Sequence, residues 1–196
     1  FAGERFNLSD SFFSQVSLVP LETMEQSPIR YIDAVTMSGD TLFLLDKRLS
    51  KIFIYLTDGK LVNIIQDVSN GSKEYGGLSD ITVHNGSLAV LCNTPSKIRY
   101  YTYDGKLEKE QALTRNWDSF ASLEQGFCLY ERREKGEGEI NIFDEQSGAE
   151  RILPQPNGNP VVRERQEKGD GIRYGTGRYL TNSSEVFFTE PLDYTL

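Results

Sequence analysis

The chain has 196 residues, of which 38% are hydrophobic and 26% charged, and its net charge is −8. This composition is typical of one globular domain with a hydrophobic core, and an acidic chain without a basic cluster is not expected to bind nucleic acid. No apolar run approaches the roughly 18 residues that a transmembrane helix needs, so we expect no transmembrane segment in the chain.

The first predicted element is an alternating segment at residues 16–23, which contains Pro20. Because proline donates no ladder hydrogen bond, a strand here belongs at a sheet edge. The chain starts with phenylalanine rather than methionine, so we expect a removed leader, which could carry a lipid anchor.

A repeat organises the middle of the chain. The letters SKI at 50–52 return at 96–98, and DGK at 58–60 returns at 104–106, so both copies lie 46 residues apart. A period of about 40–50 residues with several short strands is typical of β-propeller blades. Asp-Gly favours a tight hairpin turn, because glycine accepts positive φ. The further oxygen ligands of a calcium loop are absent, so we interpret DGK as a turn and not as a metal site.

The strand pattern predicts an all-β chain, a β-propeller of four-stranded antiparallel blades. A third, degenerate copy of the repeat is recognisable at residues 126–130 and 140–143, and a fourth begins near 178. About three and a half blades are therefore expected, as part of a six-bladed ring of roughly 276 residues. The predicted blades are 29–66, 79–113, 119–153 and 178–196. In a propeller the N-terminus often supplies the outermost strand of one blade, so we predict that residues 16–23 form an N-terminal closing strand.

Several short segments match the pattern of a known family. They are residues 18–23 (LVPLET), 52–60 (IFIYLTDGK), 71–75 (GSKEY) and 186–196 (VFFTEPLDYTL). The chain resembles gut-bacterial six-bladed β-propeller lipoproteins with NHL- or TolB-like repeats, which carry I-P-L-E-T, F-D-x-D-G-K and G-x-G-P-x-E-Y motifs. Ser72 and Lys73 depart from the last motif. The resemblance implies a secreted or lipid-anchored protein of the periplasm or outer membrane, and it implies no reaction.

The candidate binding residues lie in the predicted connections between blades, which converge over the central channel of a propeller. Aromatic rings beside Arg and Asn can stack on, and hydrogen-bond, a sugar or a peptide. The alternative is that Tyr75 and Trp117 pack between blades and that the charged residues are solvated. The candidates are Lys73, Glu74 and Tyr75 in the first connection, Arg115, Asn116 and Trp117 in the second, and Arg173, Tyr174 and Arg178 in the third.

The other chemically interesting residues are interpreted as structural. The sequence has one histidine, His84, so a metal site built from several histidines is excluded. A Ser-His-Asp triad would have to use His84 itself, and we expect this residue to be solvated. The charged run at 131–139 is expected to be a solvated hairpin tip. The glycine-rich run at 169–177 matches no phosphate-binding pattern. Cys92 and Cys128 are expected to be free and to face opposite sides of their strands.

These observations favour a non-catalytic propeller of the bacterial cell envelope. We expect it to bind a protein, a peptide or a glycan at its inter-blade loops, and to use no cofactor or metal. The alternative is a metal-dependent propeller hydrolase or lactonase, in which inner-strand Glu, Asn and Asp hold a divalent cation over the channel. The blades lack an obvious carboxylate cluster on those strands. A purely structural scaffold is a third interpretation.

Overall fold

The computed structural model describes residues 17–25, 28–66, 77–132, 138–153, 180–182 and 186–188. Within these ranges the chain forms fourteen strands and no helix. The described residues therefore include no helix of the length and apolarity needed to cross a lipid bilayer. The strands are β1 (Ala34–Ser38), β2 (Thr41–Asp46), β3 (Lys51–Leu56), β4 (Leu61–Gln66), β5 (Leu78–His84), β6 (Ser87–Asn93), β7 (Ser96–Tyr101), β8 (Leu107–Ala112), β9 (Ser119–Leu123), β10 (Gly126–Arg132), β11 (Gly138–Asp144), β12 (Glu150–Leu153), β13 (Leu180–Asn182) and β14 (Val186–Phe188).

The first twelve strands form three four-stranded antiparallel sheets, each of which follows the chain order. The first sheet is β1–β4, the second is β5–β8 and the third is β9–β12, while β13 pairs with β14. Strand β5 contacts β1 on one side and β9 on the other, and β13 contacts β9. The first strand of each sheet thus lies beside the first strand of the next, as in propeller blades around an axis. The predicted all-β propeller class is confirmed.

The two ends of the sheets carry different connections. We call the end with the hairpin turns at 39–40, 85–86, 102–106 and 124–125 the turn end. The opposite end, where the second connection (residues 113–118) joins β8 to β9, is the loop end.

Polar groups also join the inner strands of the second and third sheets. Buried Asp80 on β5 accepts hydrogen bonds from Ser119 Oγ at 2.8 Å and from the Phe120 N–H at 3.2 Å, both on β9.

The structure reproduces the sequence repeat down to its irregularities. Gly59 and Gly105, the glycines of the two DGK turns, have φ angles of +92° and +89°. In both sheets the pairing of the third and fourth strands shifts register at the same position, after Ile54 and after Tyr100. Equivalent local sequence therefore gives equivalent turns and bulges.

Apolar side chains fill the spaces between the sheets. One cluster joins the first and second sheets and another joins the second and third, and full burial of each large side chain contributes about 1.5–3 kcal/mol. Cys92 lies in the first of these clusters, whereas Cys128 packs with Ala121 and Tyr130 on the far face of the third sheet. Both thiols are buried, neither forms a disulfide, and they face opposite sides of their sheets, as predicted.

Asp46, at the end of β2, holds the chain on either side of the first sheet. Its carboxylate accepts the backbone N–H groups of Arg30, Tyr31 and Leu49, each at 3.0 Å. Burial alone would raise the pKa of Asp46, but the backbone donors outweigh burial and lower it. The charged carboxylate is therefore the form that the fold stabilises.

The N-terminal segment (residues 17–25) crosses the first sheet near its turn end. The Glu22 N–H donates to the Gly59 carbonyl at 2.8 Å, and the Tyr55 hydroxyl donates to the Glu22 carbonyl at 3.0 Å. Leu21 packs on the apolar face that includes Leu44. Its role as a closing strand stays a prediction at this point.

Candidate functional site

The structure describes three of the predicted binding residues, Arg115, Asn116 and Trp117, which lie together in the second connection at the loop end. The remaining candidates belong to the first and third connections. Lys73, Glu74, Tyr75, Arg173, Tyr174 and Arg178 lie outside the described residues.

Polar side chains of the second sheet fix the backbone of the second connection. Asn93 donates from Nδ2 to the Trp117 carbonyl at 2.9 Å, and its Oδ1 accepts the Trp117 N–H at 3.1 Å. Ser79 Oγ also donates to the Trp117 carbonyl at 2.9 Å, and Ser96 Oγ donates to the Arg115 carbonyl. Each such hydrogen bond contributes about 1 kcal/mol, so the connection is held in one conformation.

The side chains of the second connection divide between core and surface. Trp117 is 1% exposed and packs in the cluster between the second and third sheets, as the alternative interpretation expected. The Arg115 guanidinium lies 4.2 Å from the centre of the Trp117 ring, a cation–π contact worth about 0.5–2 kcal/mol. Asn116 is exposed. Of the three predicted binding residues, Asn116 and part of Arg115 are therefore accessible to a ligand, and Thr114 and Asp118 of the same connection are exposed beside them.

Two glutamates at the base of the third-sheet hairpin bind the same arginine. Glu131 on β10 lies directly opposite Glu139 on β11, a like-charged pair that would destabilise the hairpin. Arg115 Nη1 lies 3.1 Å from Glu131 Oε2, and Arg115 Nη2 forms an ion pair with Glu139. Glu139 is 8% exposed. The prediction of a solvated run at 131–139 is wrong for these two residues, while residues 133–137 lie outside the described ranges.

A second polar link ties the same connection to the third sheet. Glu150 accepts a hydrogen bond from Thr114 Oγ1 at 2.7 Å and another from Asn141 Nδ2 at 2.8 Å. Asn141 Oδ1 and Trp117 Nε1 are buried and have no hydrogen-bond partner among the described residues. The loop end between the second and third sheets thus combines a fixed backbone, a shared charge network and two unused polar atoms.

His84 forms the corresponding polar contact at the turn end. It is 3% exposed, with Nδ1 lying 2.7 Å from Ser122 Oγ and Nε2 lying 2.8 Å from Glu145 Oε2. Its ring centre lies 4.5 Å from that of Phe127. The prediction of a solvated histidine is wrong, because the third sheet covers the end of β5.

The surroundings of Glu145 keep it charged. Burial would raise the pKa of Glu145, but hydrogen bonds from Lys109, His84 and Tyr100 outweigh it and lower the pKa. Burial and the charge of Glu145 raise the pKa of Tyr100. A neutral His84 with its proton on Nε2 satisfies both contacts, since Nε2–H donates to Glu145 and the Ser122 hydroxyl donates to Nδ1.

Ser122, His84 and Glu145 have the residue types of a catalytic triad. The histidine side chain is 1% exposed, however, and it is enclosed by the aromatic rings of the second and third sheets. The geometry therefore supports a polar contact that holds two blades together. Within the described ranges, no three His, Cys, Asp or Glu side chains are placed to share a metal ion.

Residues 2–196 match a protein family described as a domain of unknown function, DUF4934. The chain belongs to this family. No curated protein matches the sequence. The propeller-like fold that the resemblance implied is confirmed. Membership of a gut-bacterial lipoprotein family stays a prediction.

Several solved structures are similar in fold. A candidate exported protein of Bacteroides fragilis superposes with a TM-score of 0.67 at 19% identity, over 91% of this chain and 50% of that one. A candidate 6-phosphogluconolactonase of the same species gives 0.43 at 12% identity, over 65% and 39% of the two chains. A catalytically inactive virginiamycin B lyase from Staphylococcus aureus gives 0.42 at 19%, over 63% and 41%. This chain spans about half the length of the first structure, and the likeness concerns the fold alone.

Proposed function

We propose that this chain is part of a six-bladed β-propeller of the bacterial cell envelope that binds a protein, a peptide or a glycan at its loop end, without catalysis. We further propose that it resides in the periplasm or at the outer membrane, secreted or held by a lipid anchor. The segments that resemble envelope lipoproteins support this location, as does the similarity in fold to a candidate exported protein.

The observation that carries the binding proposal is the fixed second connection. Its backbone is held by Asn93, Ser79 and Ser96, so a ligand would meet a surface that is already ordered. Ordering a mobile side chain on binding costs about 0.5–1.5 kcal/mol, and a preorganised loop avoids most of this cost. The Arg115 side chain is 33% exposed above the buried indole, and exposed Asn116 adds an amide donor and acceptor.

The charge of this surface selects among ligand classes. Arg115 is shared by Glu131 and Glu139, so the network carries one more negative than positive charge, on a chain of net charge −8. Such a surface repels phosphorylated or sulfated ligands and suits neutral hydroxyl and amide groups. Neutral glycans and uncharged or basic peptides are therefore the proposed ligands.

The proposal is tested by screening the purified protein against an array of neutral and acidic glycans and a peptide library. Ligands found in the screen are then measured with Asn116→Ala and, as the matched control, with Gln125→Ala, which changes an exposed residue at the turn end. We expect Asn116→Ala to raise Kd by about fivefold, equivalent to roughly 1 kcal/mol, and Gln125→Ala to have no effect.

Two results would contradict the proposal. Equal effects of the two variants would place the ligand away from the loop end. A melting temperature that rises with added calcium, together with ester or lactone hydrolysis, would favour the metal-dependent enzyme, because a ligand of the folded state stabilises it.

A further inference from the structure

Basic side chains gather at the loop end of the first sheet, on a chain whose net charge is −8. Strand β2 begins at the turn end, so the β2–β3 hairpin lies at the loop end, together with the segment that precedes β1. These two segments, residues 46–51 and 28–33, contain four basic and two acidic side chains, a local net charge of +2. Four exposed residues of this patch form what we call the basic cluster, namely Arg30, Tyr31, Lys47 and Arg48.

Two carboxylates fix the backbone of the basic cluster. Buried Asp46 accepts the N–H groups of Arg30 and Tyr31 on one oxygen, each at 3.0 Å. Asp33, on the segment before β1, accepts the Lys47 N–H at 2.8 Å. The two segments are therefore joined at two points, so the side chains of the cluster project from a backbone that is already in place.

The side chains of the basic cluster keep donors for a ligand. Arg48 Cζ lies 4.6 Å from the centre of the Tyr31 ring. A guanidinium that lies over a ring keeps its N–H groups at its edge, where they match the two oxygens of a carboxylate. The ion pairs among the described residues include none of Arg30, Lys47 and Arg48, whereas Arg115 is bound by two glutamates. The described carboxylate side chains therefore leave these three cations available to an anion.

The geometry of the basic cluster favours a carboxylate on a sugar ring. Phosphate sites in proteins usually combine cations with several backbone N–H groups. Here the N–H groups of Arg30, Tyr31 and Lys47 already donate to aspartates, so side-chain donors remain for the anion. The Tyr31 ring is 46% exposed and adds an apolar surface on which a sugar can stack. A uronic acid combines the planar carboxylate and the ring that these groups fit.

We propose that the basic cluster binds a uronic-acid unit of an acidic glycan, with the guanidinium groups of Arg30 and Arg48 on its carboxylate and the Tyr31 ring against the sugar. Lys47 adds attraction as a point charge. This site goes beyond the proposed function. It belongs to the first sheet and takes a charged ligand, whereas the second connection lies between the second and third sheets and suits neutral ligands.

The test is isothermal titration calorimetry of the purified protein with tetramers of galacturonate and of mannuronate, at low ionic strength. Arg48→Gln is compared with Lys60→Gln, which removes the same charge from an exposed residue at the turn end. We expect Arg48→Gln to raise Kd about tenfold, equivalent to roughly 1.4 kcal/mol, and Lys60→Gln to change it less than about twofold. A galacturonate tetramer whose carboxylates are methyl esters should not bind, because it keeps the sugar rings and lacks the charges.

Three results would overturn the proposal. The first is that neither tetramer binds, and the second is that Arg48→Gln and Lys60→Gln have equal effects, since net charge alone would then explain binding. The third is that a tetraglutamate peptide or inorganic phosphate binds as tightly, which would assign the basic cluster to another class of anion. If Arg48→Gln lowers the melting temperature, Arg30→Gln repeats the comparison at a second exposed position. Asn116→Ala reports on the second connection and Arg48→Gln on the basic cluster, so the two proposals fail separately.

Discussion

Replacing His84 by alanine tests whether this histidine holds the second and third blades together. The change removes the contacts at 2.7 Å to Ser122 and at 2.8 Å to Glu145, and the ring contact with Phe127 at 4.5 Å. Ser122 can turn to water and Glu145 keeps Lys109, so each lost hydrogen bond costs about 1 kcal/mol, at the low end for buried groups. Lost packing adds about 1–2 kcal/mol. We expect the free energy of unfolding to fall by about 3 kcal/mol and Tm by roughly 6–12 °C.

Urea denaturation followed by tryptophan fluorescence measures this effect directly. Trp117 is the only tryptophan of the sequence, and it lies in the cluster between the same two sheets. The matched control is Ser122→Ala, which removes the hydroxyl that contacts His84 Nδ1 and keeps the contact of His84 with Glu145 and the packing of its ring, so it should cost about 1 kcal/mol. If His84→Ala costs no more than Ser122→Ala, the histidine does not join the blades.

The pH dependence of the same variant gives an independent check. The pKa of Glu145 is lowered in the folded protein, so the stability that it contributes is complete above its unfolded value of about 4.3. That stability is lost as the pH falls through the folded pKa, because the carboxylate must then bind a proton. The deficit of His84→Ala should therefore be full at about pH 7 and smaller at about pH 3. A deficit that grows in acid would contradict this reasoning.

Three further substitutions test other parts of the fold. Gly59→Ala should destabilise the protein by about 2–4 kcal/mol in thermal unfolding, because φ of Gly59 is +92° and the added methyl group would clash with the N-terminal segment. The control is Gly39→Ala, which should cost about 1 kcal/mol, because φ of Gly39 is +57° and no atom lies near the added methyl group. Asp46→Asn should lose roughly 2 kcal/mol in urea at about pH 7, and should match the unsubstituted protein once the pH falls below the lowered pKa of Asp46. Arg115→Gln should lower the free energy of unfolding by about 2–3 kcal/mol. Adding Glu139→Gln should restore about half of this loss, because the double variant no longer contains the uncompensated charge of Glu139. A double variant no more stable than Arg115→Gln would show that the two side chains are not coupled.

The sequence predicted well those features that local signals determine. The predicted hairpin turns at the two DGK sequences are confirmed, with Gly59 at φ +92° and Gly105 at φ +89°, because Asp-Gly favours a tight turn in which glycine accepts positive φ. The two copies of the 46-residue repeat also share a register shift between their third and fourth strands. These elements depend on neighbours only a few positions away, which a reading of the sequence can see.

The residues that the sequence misjudged depend on distant partners. His84 meets groups 38 and 61 positions away, so nothing near it in sequence indicated burial. Glu139 offered a signal that could have been used. A hairpin centred on the charged run places Glu131 opposite Glu139, and two facing carboxylates near a buried surface need a cation, for which Arg115 was available.

The space between the second and third sheets is closed by polar contacts at both ends. His84 joins them at the turn end and Arg115 at the loop end, with the aromatic cluster between. Sliding of one blade on the other would break both contacts at once, so these two sheets should move as a unit. A ligand at the second connection would then meet a surface fixed by two independent anchors. Its affinity should depend on the direct contacts of Asn116 and Arg115, because little of the binding free energy is used to order the site.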